Sequence, residues 1–189
     1  MQHGTQPDIR HGNPPEAMHM MGDLIIPDER VLGALNNSRL VENLRDFEII
    51  VLASLITVRY YEARELVAEL GDDALKDALM ILVEGAIEVS AMVNHEAVSL
   101  QLEAPGDLGR IMSFVGGNMM SISSRIKVKK DSAVLLLQRP KLESLLQSHP
   151  SIVYCVMRNL IRHVHGVARR KNAEMEEMSN YLYSMNGRY

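Results

Sequence analysis

The stretch PGDLGRIMSFVGGNMMSISSRIKV (Pro105–Val128), continued by SAVLLLQRPKLESLLQSHP (Ser132–Pro150), decides the fold. Pro105-Gly106-Asp107 reads as a turn. Ile126 and Val128 alternate with Arg125, Lys127 and Lys129, the period of a strand with one face buried. Ala133 to Leu137 is apolar without a break, which predicts a strand covered on both faces. Pro140 fits the first turn of a short helix, where its missing N–H costs nothing, and Leu142, Leu145 and Leu146 give that helix one apolar face. Pro150 opens a second helix expected to run to about Tyr183, far beyond the usual length.

Upstream, Leu40, Leu44, Phe47, Ile50, Val51 and Leu55 recur at three- and four-residue intervals, and Ser38 is available as N-cap, so a helix is expected there. Ile56–Tyr61 and Glu65–Leu70 read as strands, and Gly71-Asp72-Asp73 as a turn. Two further strands, Leu79–Val83 and Ile87–Met92, flank a bend at Glu84-Gly85. Asn94-His95 is a hairpin tip, and Ala97–Leu102 the returning strand. Short strands with turns at this spacing predict a sandwich or barrel. Residues 1–23, rich in Gly, Pro, His and polar side chains, are expected to form a mobile arm.

The chain has 189 residues, 47% of them hydrophobic, enough for one real core, and a net charge of −4 that supplies no global basic field for nucleic acid. A single cysteine, Cys155, allows no internal disulfide and fits a reducing compartment. No signal peptide and no run of ~18 apolar residues is visible, so a cytoplasmic chain is expected. Aromatic residues make up 4% and there is no Trp, against 13 Met, which predicts an adaptable core.

Within the long helix, Ile161, Val164, Ala168, Lys171, Met175, Met178 and Leu182 alternate spacings of three and four, a heptad seam. That stripe is longer than one small barrel can cover. Self-association through this helix is the expectation. Arg169-Arg170-Lys171 is followed at once by Glu174, Glu176 and Glu177, which reads as a solvated, ion-paired face. His163 and His165 stand two apart on the helix and point in divergent directions, so they cannot chelate one metal within a chain.

Helix, multi-stranded roll, short helix and long helix, in that order, resemble the cyclic-nucleotide-binding domains, and among them the effector domain of the catabolite activator protein and Fnr family. The resemblance covers about residues 24–183. It rests on LMILVEGAIEV (Leu79–Val89), APGDLGR (Ala104–Arg110) and Ser132–Pro150. One departure is EARE (Glu62–Glu65), where the family often has Pro-Gly-Glu. The resemblance implies a mainly β fold with helices: a double-stranded β-roll at 24–150, with a dimerisation helix at 151–184.

It also implies a phosphate cassette that this chain alters. In the family, Gly-Glu is followed about ten residues later by Arg-Ser or Arg-Ala. The glutamate accepts from the ribose 2′-OH, the arginine pairs with the cyclic phosphate, and backbone N–H groups complete an anion nest. Here Gly109 matches, Arg110 stands at the glutamate position, Met120 at the arginine position, and Ser121 matches. The hydroxyl residues that contact the base in the activator fall on Val167 and Ala168. Each lost charge-assisted bond is worth about 1.5–3 kcal/mol, so binding of cyclic AMP in the family manner is not expected. Two readings stay open. Gly116-Gly117-Asn118 is a simple hairpin turn, or it shifts the register so that Arg110 or Arg125 and the Ser hydroxyls serve a different anion.

The resemblance therefore implies a non-catalytic regulatory or sensor module. The alternative is a protein-interaction module with a vestigial pocket, such as a truncated transcription regulator acting through a partner. The expected partners are a second copy of the chain and either a nucleotide-like or other anionic small ligand or a protein. The family's winged helix-turn-helix would need some fifty further residues, so direct DNA binding is not expected, nor is a membrane partner. No metal or other cofactor is expected. Haem serves some relatives, and Cys155, His163 and Met are suitable ligand types, but no haem motif accompanies them.

Overall fold

The computed structural model describes residues 18–21, 24–68, 75–93, 96–116 and 124–186. In chain order the elements are strands β1 (Met18–Met21) and β2 (Leu24–Pro27), helix α1 (Glu29–Asn37), a 3₁₀ turn (Arg39–Val41) and helix α2 (Asp46–Ala53). Strands β3 (Thr57–Tyr61), β4 (Leu66–Ala68), β5 (Ala78–Val93), β6 (Glu96–Leu102) and β7 (Leu108–Gly109) follow. Helix α3 (Ile111–Gly116), strand β8 (Ser124–Gln138), helix α4 (Arg139–Glu143), a second 3₁₀ turn (Ser144–Leu146) and helix α5 (Pro150–Asn186) complete the chain.

The sheet is antiparallel, in the order β3-β8-β5-β6, with β4 on β8 and β7 on β5. Its axis is the pairing of β5 with β8, from Ala78↔Gln138 to Ala91↔Ser124. Along the first half of β5 and the second half of β8, which pair with each other, both faces are buried. Leu79, Ile81, Leu135 and Leu137 face a helical layer, and Met80, Leu82, Val134 and Leu136 face the inside of the roll. In the other halves, Ala86, Ile87, Val89, Ile126 and Val128 are buried, while Arg125, Lys127 and Lys129 face out. This is why Ala133–Leu137 reads as a continuous apolar run and Arg125–Lys129 alternates. The change marks where the sheet leaves the helices.

The register shifts at that change, between Leu82 and Glu84, Glu84 and Ala86, and Ala86 and Ile87. Gly85 sits there with φ +99°, and a Cβ on it would collide with the Ser132 hydroxyl and the Asp131 carbonyl. Ser132, itself buried, accepts from Ala86 N at 3.1 Å and donates to Lys130 O at 2.6 Å, which satisfies backbone groups that the bulge frees. The two strands expected on either side of a glycine bend are thus one bulged strand.

The helical layer is built around Val31, Ala34 and Leu35 of α1, Leu40 and Val41, Ile49 and Leu52 of α2, Leu142 and Leu145, and Ile152, Val153, Val156 and Leu160 of α5. The sequence reading missed α1, although Asp28 caps it by accepting from Arg30 N at 2.9 Å. The single helix expected from Ser38 is divided. Ser38 caps only the 3₁₀ turn, accepting from Leu40 N at 3.1 Å, and Asn43 with φ 67° separates that turn from α2. Phe47, expected on the apolar face, is 52% exposed. Residues 18–21, inside the segment read as an arm, form a strand paired with β2. The turns expected at 71–73 and 94–95 lie outside the described residues.

Helix α5 runs 37 residues, so helical residues outnumber strand residues although the sheet organises the fold. Its first three turns are fastened by two polar contacts. The Asn159 amide, buried, donates to Leu40 O at 3.0 Å and to Glu42 O at 2.7 Å. Glu48 of α2, also buried, accepts from Ser151 Oγ and from Arg45 N, both at 2.9 Å. Beyond Leu160 the helix leaves the core. Among the described residues no helix is long and apolar enough to cross a membrane.

The hydrogen bonds from Arg45 N and Ser151 hold the Glu48 carboxyl below its ordinary pKa against the opposing effect of burial, with smaller help from the charges of Arg45 and His149. A carboxyl whose folded pKa is depressed adds stability above the unfolded value of about 4.3 and loses it as pH falls through the folded value. Glu48→Gln is expected to cost about 1 kcal/mol at pH 7 and to flatten the acid limb of stability below about pH 4.5. Urea unfolding between pH 3 and 7 measures both. An acid limb unchanged by the substitution would assign it to other carboxylates.

Candidate functional site

The segment from Ala104 to Gly116 is positioned by β5. Leu108 and Gly109 pair with Ile81 and Met80. The preceding turn is pinned by Gly106 N donating to Leu82 O at 2.8 Å and by Leu82 N donating to Asp107 O at 2.9 Å. The Asp107 carboxylate accepts from Glu103 N and Ala104 N, both at 2.9 Å. Gly106 needs its glycine twice over: φ is +92°, and a Cβ would lie 2.7 Å from the Asn37 carbonyl carbon.

Gly109 is buried, and a Cβ there would lie 2.8 Å from a Leu102 methyl and 3.6 Å from a Val89 methyl. It is small because the roll closes on it. Arg110 follows in the left-handed region at φ 60° and is 5% exposed. Its Nη2 donates to Leu75 O at 2.6 Å. A guanidinium in this position is drawn into the protein and satisfies a loop carbonyl. Phe114 of α3 is fully buried, but in the helical layer and not inside the roll.

Of the other cassette positions, Gly117, Met120 and Ser121 lie outside the described residues, as does Met119. Arg125 is exposed on β8 opposite Ser90 of β5. Val167 and Ala168 lie on α5, half-buried and exposed. The roll interior is packed by Tyr61, Leu75, Met80, Leu82, Ile87, Val89, Leu102, Ile126, Val128, Val134 and Leu136. Ile161, Val164, Ala168 and Met175 of the heptad seam are exposed, Ile161 at 67% and Met175 at 71%. Met178 and Leu182 lie within α5. His163 is half-buried and His165 exposed. Among the described residues no group of three or more His, Cys, Asp and Glu side chains converges to hold a metal.

The arrangement matches solved structures closely enough to assign the fold. A cyclic nucleotide-binding domain from Methylobacillus flagellatus superimposes with a TM-score of 0.63 at 19% identity, over 79% of this chain and 83% of that one. This chain has the cyclic-nucleotide-binding-domain fold. The catabolite activator protein of Thermus thermophilus gives 0.56 at 21% identity, over 75% of this chain and 63% of the activator, so the chain spans less than two thirds of that protein. The regulatory subunit of a cAMP-independent protein kinase A from Trypanosoma brucei gives 0.53 at 17% identity, over 78% of this chain and 49% of that one. No protein-family model and no curated protein matches the sequence. Among the described residues no helix-turn-helix accompanies the cyclic-nucleotide-binding-domain fold.

Two features of this domain escaped the sequence reading. The buried hydroxyl of Ser132 carries no motif, since its partner is a bulge 46 residues away. The inward turn of Arg110 depends on Leu75, 35 residues upstream, in a loop with no regular pattern. Arg110→Ala removes a buried charge-assisted bond, so that among the described residues Leu75 O keeps the 3.3 Å contact from Ala78 N. It is expected to cost about 1–3 kcal/mol in chemical denaturation, measured without any ligand. A neutral effect would free Arg110 from a structural role.

Proposed function

We propose that the chain is a non-catalytic regulatory module in which the cyclic-nucleotide-binding scaffold is kept and the usual mode of cyclic AMP recognition is lost. The observation that carries this is Arg110. The cassette's ribose acceptor is a carboxylate, and here a buried guanidinium donates to Leu75 O instead. A guanidinium cannot accept the proton of a ribose hydroxyl as the carboxylate does, and this one is engaged by Leu75 O, while Met120 in place of the arginine supplies no cation for the phosphate. Val167 and Ala168 likewise offer no hydroxyl to a base. That the same fold occurs in a kinase regulatory subunit described as cAMP-independent supports a role without cyclic AMP.

The module acts as a homodimer in this reading. Ile161, Val164 and Met175 are exposed at heptad spacing on a helix that has already left the core. The same exposed seam favours a second reading, in which the pocket is vestigial and the helix or roll engages a different protein.

Sized protein is expected to sediment at twice the 21.2 kDa chain mass. Thermal melting against cyclic AMP, cyclic GMP, cyclic dinucleotides, ordinary nucleotides and haem then separates the readings. A ligand present at a hundredfold its dissociation constant stabilises by about 2.7 kcal/mol, a shift of a few degrees. No shift with cyclic AMP is expected. A shift with another nucleotide assigns a sensor, and no shift with any assigns the interaction module. Saturable stabilisation by micromolar cyclic AMP would refute the proposal.

A further inference from the structure

A cleft of about 220 Å³ lies beside the cassette, lined by Asn37 and Arg39, by the turn from Ala104 to Leu108, and by His163. That is room for about seven waters, enough for one compact polar group. It is built where three elements meet: the end of α1, the turn before β7, and the point at which α5 leaves the core. The close approach of Gly106 to Asn37 fixes the first two against each other.

Its chemistry is cationic. Arg39 is exposed on the 3₁₀ turn; its carbonyl accepts from Glu42 N, and its guanidinium has no hydrogen bond or ion pair among the described residues. The His163 Nδ1 is buried and also without a hydrogen-bond partner among them. Arg170 follows two helical turns after His163, near enough to act on it. The acidic group facing this corner, Asp107, is already engaged by two backbone N–H groups. Two guanidinium groups against one carboxylate leave an excess positive charge even while His163 is neutral.

We propose that this cleft binds the anionic oxygens of a small ligand, a phosphate or carboxylate group, between the Arg39 guanidinium and the His163 ring. The proposal is independent of whether the cassette takes a nucleotide. Leu108 leads within two residues to Arg110, and His163 stands three residues after Leu160, so an anion here touches both the cassette approach and the helix that leaves the core.

Burial first, then the charges of Arg39 and Arg170, hold the His163 pKa below its ordinary value, with Asp107 opposing. An anion seated against the ring favours the imidazolium, so binding takes up a proton and tightens as pH falls through the histidine range.

The test is an NMR titration of the imidazole resonances, with His163 assigned through His163→Asn. Inorganic phosphate is one arm, acetate the second, and sodium chloride at matched ionic strength the control. The His163 resonances are expected to move saturably with at least one oxyanion while those of exposed His165 stay put. The His163 midpoint should rise at saturation, and affinity should fall about tenfold in Arg39→Gln, which loses one charge-assisted bond at an exposed position. Whichever oxyanion binds more tightly identifies the group. Movement equal to that in chloride, or binding unchanged in Arg39→Gln, would overturn the proposal.

Discussion

The structure depends on the pairing of β5 with β8. These strands are 16 and 15 residues long, are separated by the segment between Val93 and Ser124, and are held at three places along their length. At the start, Arg139 bridges to Asp77 at 3.0 Å and donates its backbone N–H to Asp77 O at 2.9 Å. In the middle, Gly85 and Ser132 form the bulge. Beyond it, Lys129 reaches across to Glu88 at 2.6 Å, and the bonds from Lys129 and Gln101 hold the Glu88 carboxyl below its ordinary pKa. The ladder then serves two cores at once. One face packs against the helices and the other fills the roll, so loss of register would expose apolar side chains on both.

Much of this was legible in the sequence because burial leaves a period. The continuous run at Ala133–Leu137 and the alternation at Arg125–Lys129 each correspond to an observed environment, and Pro140 and Pro150 stand at the starts of helices as expected. What was not legible was set by backbone conformation or by distant partners. Asn43 breaks a plausible helix by adopting φ 67°, a choice that an asparagine permits but does not announce. α1 carries its apolar stripe on only three buried residues, interrupted by Gly33. At Gly109–Arg110 the sequence does not display that the arginine turns inward to Leu75 O. The cleft at Arg39 and His163 is assembled from three segments separated by more than fifty residues each, and no local pattern encodes it.

The functional reading follows from where fixed and altered residues fall. Glycines at 85, 106 and 109 stand where a side chain would strike neighbouring atoms, so they maintain the scaffold. At the positions that the family resemblance assigns to a nucleotide, the sequence carries Arg110, Met120, Val167 and Ala168. Helix α5 is tied to the body by Asn159 and Ser151 and then projects an exposed apolar seam.

Native-state amide hydrogen exchange tests the central claim, that the β5–β8 ladder is the rigid frame to which cassette and helix are attached. Amides of Leu79–Leu82 and Val134–Leu137 should exchange most slowly, opening only with global unfolding, while those of α3 exchange through local opening at lower free energy. Amides of α3 or of the Arg39–Val41 turn that outlast the ladder would contradict the account.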